Sequence, residues 1–144
     1  MNRIKEKYFS FIDKKIIDHI SNSRVYKAEG RNDEANLEMI KAKIFELFKV
    51  LFIIDTRQLE GIDFKSYKDI NLFGDYLLRF ETVSANWIMY LEKARENCDN
   101  VKLVIEMTKL AIAQEIRDKF ISTVKEGLKE KAPQSSNKLS EKHL

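Results

Sequence analysis

The apolar residues of this chain recur every three or four positions, and they are most concentrated just before residue 55. Between Ile44 and Ile54, Glu46 and Lys49 are the only polar residues. Wound as a helix, the apolar positions in and around this run cover an arc much wider than one core-facing stripe. A helix of that kind must be covered on several sides, so we expect it to be the most buried helix of a bundle.

The same spacing extends over most of the chain and predicts an all-α fold. The predicted helices cover about residues 2–21, 32–59, 66–97 and 100–130. They are separated by Ser21-Asn22-Ser23 with a link to Arg31, by Gly61 to Tyr67, and by Asn97 to Asn100. Short connections favour antiparallel neighbours, and the prediction is a single-domain bundle of four main helices over residues 1–131. Residues 132–144 are polar and predict a flexible tail.

Small polar residues supply the expected helix caps. The candidates are Asn32 or Asp33 for the second helix, Ser66 to Asp69 or a start just after Gly74 for the third, and Asp99 or Asn100 for the fourth. Gly61 is the expected terminator of the second helix, since glycine adopts the left-handed conformation without strain.

Helices two and four carry more apolar surface than one bundle seam needs, whereas helix three has a single regular seam. Helix two has the alternating three- and four-residue spacing of a coiled-coil seam, formed by Leu37, Ile40, Ile44, Leu47, Leu51 and Ile54. Helix three has the seam Phe73, Leu77, Phe80, Ser84, Trp87, Leu91 and Ala94, flanked by Tyr76, Val83 and Tyr90. Helix four has one face with Val101, Val104, Ile105, Thr108, Ile112 and Ile116, and a second with Leu103, Met107, Leu110, Ile121, Val124 and Leu128. The surplus predicts a surface for a protein partner.

Composition agrees with an ordinary globular domain. The chain has 144 residues, of which 34% are charged and 44% are hydrophobic. Cys98 is the only cysteine, so neither an intramolecular disulfide nor a Cys-x-x-Cys motif is possible, which favours a reducing, cytoplasmic location. The apolar run would span about 16 Å as a helix, roughly half a bilayer core. We therefore expect neither export nor a membrane span.

The net charge of +3 is unevenly distributed. Residues 1–31 carry eight basic and four acidic side chains, and residues 100–131 carry seven and five. In an up-down bundle these two segments can be neighbours. This asymmetry supports an alternative role, in which basic first and last helices contact nucleic acid or an acidic partner.

Few residues suggest catalysis or cofactor binding. The candidates are His19, Glu46 and Glu115, together with the lone thiol of Cys98. More ordinary roles are a helix-terminal or core-edge position for His19, a narrow solvent strip for Glu46, and an ion pair between Glu115 and Lys119. The chain has no Glu-x-x-His pair and no glycine-rich phosphate loop, so we predict no metal site, no cofactor and no catalytic residue.

One local resemblance to a known family is present. Tyr26, Gly30, Ala35, Met39 and Ala42 fall at spacings that resemble a tetratricopeptide helical hairpin. The resemblance covers about thirty residues and occurs once, and the later helices are too long for that repeat. It therefore assigns no family.

The sequence leaves three functional hypotheses in order of preference. The first is a non-enzymatic, cytoplasmic helical bundle that acts through protein–protein contact, including a homodimer. The second is a small regulator that contacts nucleic acid or an acidic partner. The third is an enzyme built on His19, Glu46 or Glu115, which requires a pocket that contains at least two of them. The abundance of Lys, Ile and Asn is compatible with an AT-rich bacterial or phage genome.

Overall fold

The computed structural model describes the backbone of residues 2–59 and 73–143 and the side chains of residues 3–59 and 73–127. The described residues form four α-helices: α1 (Asn2–Ala28), α2 (Asn32–Asp55), α3 (Gly74–Glu96) and α4 (Asn100–His143). A short 3-10 turn, Arg57–Leu59, follows α2. The predicted all-α bundle of four helices is confirmed.

Helix α1 extends past the break that the sequence predicted at Ser21-Asn22-Ser23 and ends at Ala28. Serine disrupts a helix when its hydroxyl competes for nearby backbone groups. Here the buried hydroxyl of Ser23 instead donates to the carbonyl oxygen of Ala35 on α2, at 2.9 Å. The prediction of a break is therefore wrong, because this serine satisfies its hydrogen bond across the helix pair.

The turn between α1 and α2 is a Schellman motif closed by Gly30. Gly30 has φ of 78°. Its N–H donates to the carbonyl of Lys27 at 3.1 Å, and the N–H of Arg31 donates to that of Tyr26 at 2.8 Å. Arg31, and neither Asn32 nor Asp33, is the N-cap residue of α2, and it makes no side-chain capping bond.

The turn between α3 and α4 has the same geometry with cysteine in the glycine position. Cys98 has φ of 54°. The N–H of Asp99 donates to the carbonyl of Ala94 at 2.8 Å, and the N–H of Cys98 donates to that of Arg95 at 3.3 Å. The carboxylate of Asp99 then accepts the N–H of Lys102 at 3.2 Å, so the prediction that Asp99 caps the fourth helix is confirmed.

These two turns predict opposite responses to substitution. Gly30→Ala should lower the free energy of unfolding, and Cys98→Gly should raise it, each by about 1 kcal/mol, because a β-carbon is disfavoured at positive φ. No atom lies within 4 Å of a β-carbon built on Gly30, so its cost is that of the backbone alone. Urea denaturation followed by circular dichroism measures both changes. Shifts of the same sign would contradict this account of the turns.

Helix α2 ends at Asp55, four residues earlier than predicted. The hydroxyl of Thr56 donates to the carbonyl of Phe52 at 2.6 Å, which satisfies one of the last helical acceptors. Asp55 also receives two hydrogen bonds of 3.1 Å from the guanidinium of Arg79, which tie the end of α2 to α3 and raise the pKa of Arg79. Gly61 and the predicted cap at Ser66–Asp69 lie outside the described residues, and α3 begins at Gly74, the other predicted start.

Helix α4 is much longer than its neighbours. Its 44 residues correspond to about 66 Å, against about 40 Å for the 27 residues of α1. Its backbone remains helical past the expected end near residue 130, and the flexibility of the segment 132–144 stays a prediction. At Gly127, α4 approaches α1 closely: a β-carbon built on this glycine would lie 2.8 Å from Cγ1 of Ile4.

An aromatic cluster holds the four helices together. Phe52 of α2 lies at its centre and contacts five other rings, those of Tyr8, Phe9, Phe73, Tyr76 and Phe120. The contact of Tyr8 with Phe120, together with the approach of Ile4 to Gly127, shows that α1 and α4 are antiparallel neighbours. All four helices thus meet at one aromatic core.

The described part of α3 follows its predicted seam. Phe73, Phe80, Trp87 and Ala94 are buried, and Leu77, Ser84 and Leu91 between them are half-buried. This regular burial confirms the heptad register predicted for the third helix.

Candidate functional site

The structure does not gather the three catalytic candidates into one site. Glu46 is exposed on α2. The side chain of Glu115 is 43% exposed, and its carboxylate lies 3.9 Å from Lys15 of α1. The expected ion pair of Glu115 with Lys119 is replaced by this contact between helices. Lys119 instead places its ammonium 5.6 Å from the centre of the Phe11 ring.

His19, the third candidate, lies within α1, and its side chain is 14% exposed. Its Nδ1 lies 2.6 Å from Oε2 of Glu38 on α2, and its ring stacks on Phe45 with 5.6 Å between centres. Its Nε2 is buried and has no hydrogen-bond partner among the described residues. The predicted helix-terminal position of His19 is wrong, because α1 continues to Ala28. The ring packs instead at the edge of the core, against Phe45.

The sequence reasoning missed Glu38, although a signal for it exists. Glu38 precedes Phe45 by seven residues and Phe52 by fourteen, so all three lie on one face of α2. Phe45 and Phe52 are fully buried, and Glu38 is buried with them. A carboxylate in register with two core phenylalanines is expected to need a partner, and His19 together with Lys41 at 3.7 Å provides it.

Glu38→Gln should lower the free energy of unfolding by about 1 kcal/mol, because a charge-assisted hydrogen bond to His19 becomes a neutral one. The matched control is Glu46→Gln on the exposed side of the same helix, which we expect to change stability by less than about 0.5 kcal/mol. Chemical denaturation at neutral pH measures both. Equal effects of the two substitutions would contradict a structural role for the Glu38 pair.

A second buried carboxylate lies between α3 and α4. Oε1 of Glu106 is 3.2 Å from the ammonium of Lys109, and that ammonium lies 5.9 Å from the centre of the Trp87 ring. Oε2 of Glu106 is buried without a hydrogen-bond partner among the described residues. Within the described part of the chain, no group of three or more His, Cys, Asp or Glu side chains is arranged to hold a metal ion.

The aromatic row of α3 divides between core and surface. Tyr76 is fully buried, Trp87 is nearly so, and Tyr90 is half-exposed. Tyr76 and Trp87 therefore pack in the core, and only Tyr90 presents its ring to the surface. The row therefore does not present three aromatic faces on which bases could stack.

The basic segments of α1 and α4 lie side by side, but carboxylates interrupt them. Lys49 of α2 contacts Asp13 at 2.7 Å, and Lys15 approaches Glu115. Other ammonium groups lie over rings, such as that of Lys5 at 5.7 Å from the Phe9 centre. The described surface of α1 and α4 thus alternates in charge, which gives little support to a strip that follows a phosphate backbone.

Exposed apolar side chains occur on all four helices, and those of α2 lie close to those on the first turns of α4. We call this region the α2–α4 apolar surface; it comprises Leu37, Ile40, Leu47, Val50, Ile54, Val101 and Val104. Val50 is 52% exposed, Ile54 46% and Val104 47%. Where the two helices run together, they form a groove of about 360 Å³. Its apolar lining consists of Leu37, Ile40, Val101, Val104 and Ile105, and its polar edge consists of Asp33, Asn36 and Asn100.

This surface exists because α2 carries two apolar stripes and the bundle covers only one of them fully. The stripe with Phe45, Phe48 and Phe52 is completely buried against α1, α3 and α4. The predicted coiled-coil seam lies beside it: Ile44 is buried, whereas Leu47 is 36% exposed and Ile54 more so. The helix expected to be the most buried is therefore open along one side.

Other grooves on the described surface are shallow and divided among helix pairs. One lies between α3 and α4 near Ser84 and Arg117, a second lies at the opposite end of these helices near Tyr90 and Glu106, and a third lies beside Asp55. None of the grooves described here contains two of the three catalytic candidates.

The fold and surface define a four-helix bundle with one helix left partly uncovered. Comparisons of the chain with protein-family models, with curated proteins and with solved structures found no match. Within the residues that the structure describes, every helix falls short of the length or apolarity needed to cross a bilayer.

Proposed function

We propose that this protein is a non-enzymatic interaction module that binds a protein partner through the α2–α4 apolar surface. The observation that carries the proposal is the group of neighbouring apolar positions on α2 that the bundle leaves partly uncovered, with Leu47, Val50 and Ile54 each more than one-third exposed. Apolar side chains exposed singly are normal, whereas contiguous patches are typical of interaction sites.

Burial of this surface against a partner would stabilise a complex. Burying an exposed Val, Leu or Ile side chain contributes about 1.5–3 kcal/mol, and roughly half of that remains available at each half-exposed position. Several such positions in one stripe supply the apolar centre of an interface. Asp33, Asn36 and Asn100 at the edge of the groove provide the polar rim that such interfaces have.

Affinity capture from cell extract with matched variants tests the proposal. Val50→Lys and Val104→Lys each place a charge on the α2–α4 apolar surface, and Ile17→Lys places the same charge at a 63% exposed position on α1. We expect the wild type and Ile17→Lys to retain the same proteins, and both surface variants to lose them. Circular dichroism establishes that the three variants are folded. Retention of identical proteins by all four forms would overturn the proposal.

A further inference from the structure

We infer that the occupant of the α2–α4 apolar surface is a second copy of this chain, with α2 of one copy antiparallel to α2 of the other around a two-fold axis level with residue 45. The inference rests on the proposed function and names its partner. Three observations support it: the spacing of the open stripe, the order of its charges, and the position of the groove.

The open stripe has the spacing that another helix requires. Its members alternate steps of three and four residues: Asp33, Asn36, Ile40, Lys43, Leu47, Val50 and Ile54 on α2, continued by Arg57 in the 3-10 turn that follows. Seven of the eight are exposed, and Ile40 is half-buried. A stripe of this period faces one direction along its whole length when two helices cross at about 20°. The part of the row on α2, from Asp33 to Ile54, spans 21 residue steps, or about 32 Å.

The charges along the stripe select the antiparallel orientation. Asp33 stands at its first position and Arg57 at its last, while Lys43 and the neighbouring Glu46 lie near its middle. None of these four forms an ion pair with another described residue. With the axis level with residue 45, Asp33 faces the partner's Arg57, and Lys43 reaches the partner's Glu46. A parallel pair would instead align Asp33 with Asp33 and Arg57 with Arg57.

The same axis brings apolar side chains to the groove. With the axis level with residue 45, each residue of one copy faces the residue of the other copy whose number brings the sum to about 90. The partner's Val50 therefore lies beside Ile40, and the partner's Ile54 lies beside Asn36. The groove lined by Leu37, Ile40 and Val104 is located there. By symmetry each copy fills the groove of the other, which is the self-complementary arrangement that a two-fold interface requires.

Sedimentation velocity at about 50 µM tests the dimer. We expect a dimer for the wild type and for Ile17→Glu, and at least a tenfold weaker dimer for Val50→Glu. A monomeric wild type would overturn this inference alone, since the capture experiment with the lysine variants decides the proposed function independently. A dimer that Val50→Glu leaves unchanged would place the contact elsewhere and would also overturn it.

Charge exchange tests the orientation. Asp33→Arg and Arg57→Asp should each weaken the dimer about three- to tenfold, because both symmetry-related contacts become repulsive. The double variant Asp33→Arg/Arg57→Asp should recover wild-type affinity, since the opposite charges face each other again. In a parallel pair the double variant would recover nothing and each single variant would have no such effect, so that outcome would overturn the antiparallel arrangement.

Spin-label distances test the register on a Cys98→Ser background, with one cysteine introduced at a time at Asn36, Lys43 or Asp33, all of which lie on α2. Along the helix axis, the antiparallel pair separates equivalent labels by about 3 Å for each residue from position 45, or about 27, 6 and 36 Å respectively. The label at Lys43 should therefore give the shortest distance by electron paramagnetic resonance. Equal distances at all three positions would indicate a parallel pair and would overturn the inference.

Discussion

Phe52→Ala should lower the free energy of unfolding by about 3–5 kcal/mol, the largest effect we expect from any single substitution. Phe52 of α2 is fully buried, and five aromatic rings surround it, contributed by α1, by α3 with its N-cap residue, and by α4. Removing its ring therefore loses the favourable free energy of burying the removed atoms. It also leaves a cavity that the closely packed neighbours cannot fill. A loss of this size is a large fraction of the stability of a typical domain.

Urea denaturation of Phe52→Ala and of two controls measures this effect. Phe52→Leu keeps most of the volume, so its cost should be well below that of alanine. Ile53→Ala alters the adjacent residue, which is 38% exposed, and should cost about 1 kcal/mol or less. If Phe52→Ala cost no more than Ile53→Ala, the aromatic cluster would not be the centre of the core.

Periodicity predicted the helices well but did not predict which side of α2 the bundle covers. The stripe through Phe45 and Phe52 and the stripe through Leu47 and Ile54 have the same spacing and similar apolarity. Which one is buried depends on where α3 and α4 pack, and that information is not local to α2. In this fold the phenylalanine stripe is the buried one, since Phe52 contacts the rings of Tyr8 and Phe120, whereas Leu47 and Ile54 remain more than one-third exposed.

At three residues the structure differs from what the local sequence predicts, because of contacts with another helix or because of backbone conformation. The sequence predicted a helix break at Ser23. The hydrogen bond that its hydroxyl donates to Ala35 lies between two helices, so it could not be predicted from the residues near Ser23. In the sequence Cys98 is a lone thiol in a short connection, and no local signal predicts the left-handed conformation that it adopts. Glu38 was overlooked because single charged residues on apolar helices are usually exposed, and its contact with His19 requires the α1–α2 pairing to be known.

Tyr76→Phe should lower the free energy of unfolding by about 1–3 kcal/mol, although only one oxygen is removed. In the core, the hydroxyl of Tyr8 hydrogen-bonds to that of Tyr76, which donates to the carbonyl of Phe48 at 3.0 Å. Tyr76→Phe leaves the buried hydroxyl of Tyr8 without its partner. Tyr8→Phe should cost less, since Tyr76 keeps its acceptor. The double variant should be no less stable than Tyr76→Phe, because it removes the orphaned hydroxyl too.

The two tyrosines also predict a loss of stability in alkali. Burial raises the pKa of both Tyr8 and Tyr76 above the ordinary value of 10.0, whereas in the unfolded chain both hydroxyls ionise near that value. The unfolded state therefore releases protons that the folded state retains, and stability falls as pH rises above 10, by up to about 1.4 kcal/mol per pH unit for each tyrosine. Denaturation midpoints between pH 9 and about pH 11.5 measure the slope, which should be shallower for Tyr8→Phe/Tyr76→Phe than for the wild type. Equal slopes would mean that both hydroxyls ionise in the folded protein as easily as in water, which burial of this kind forbids.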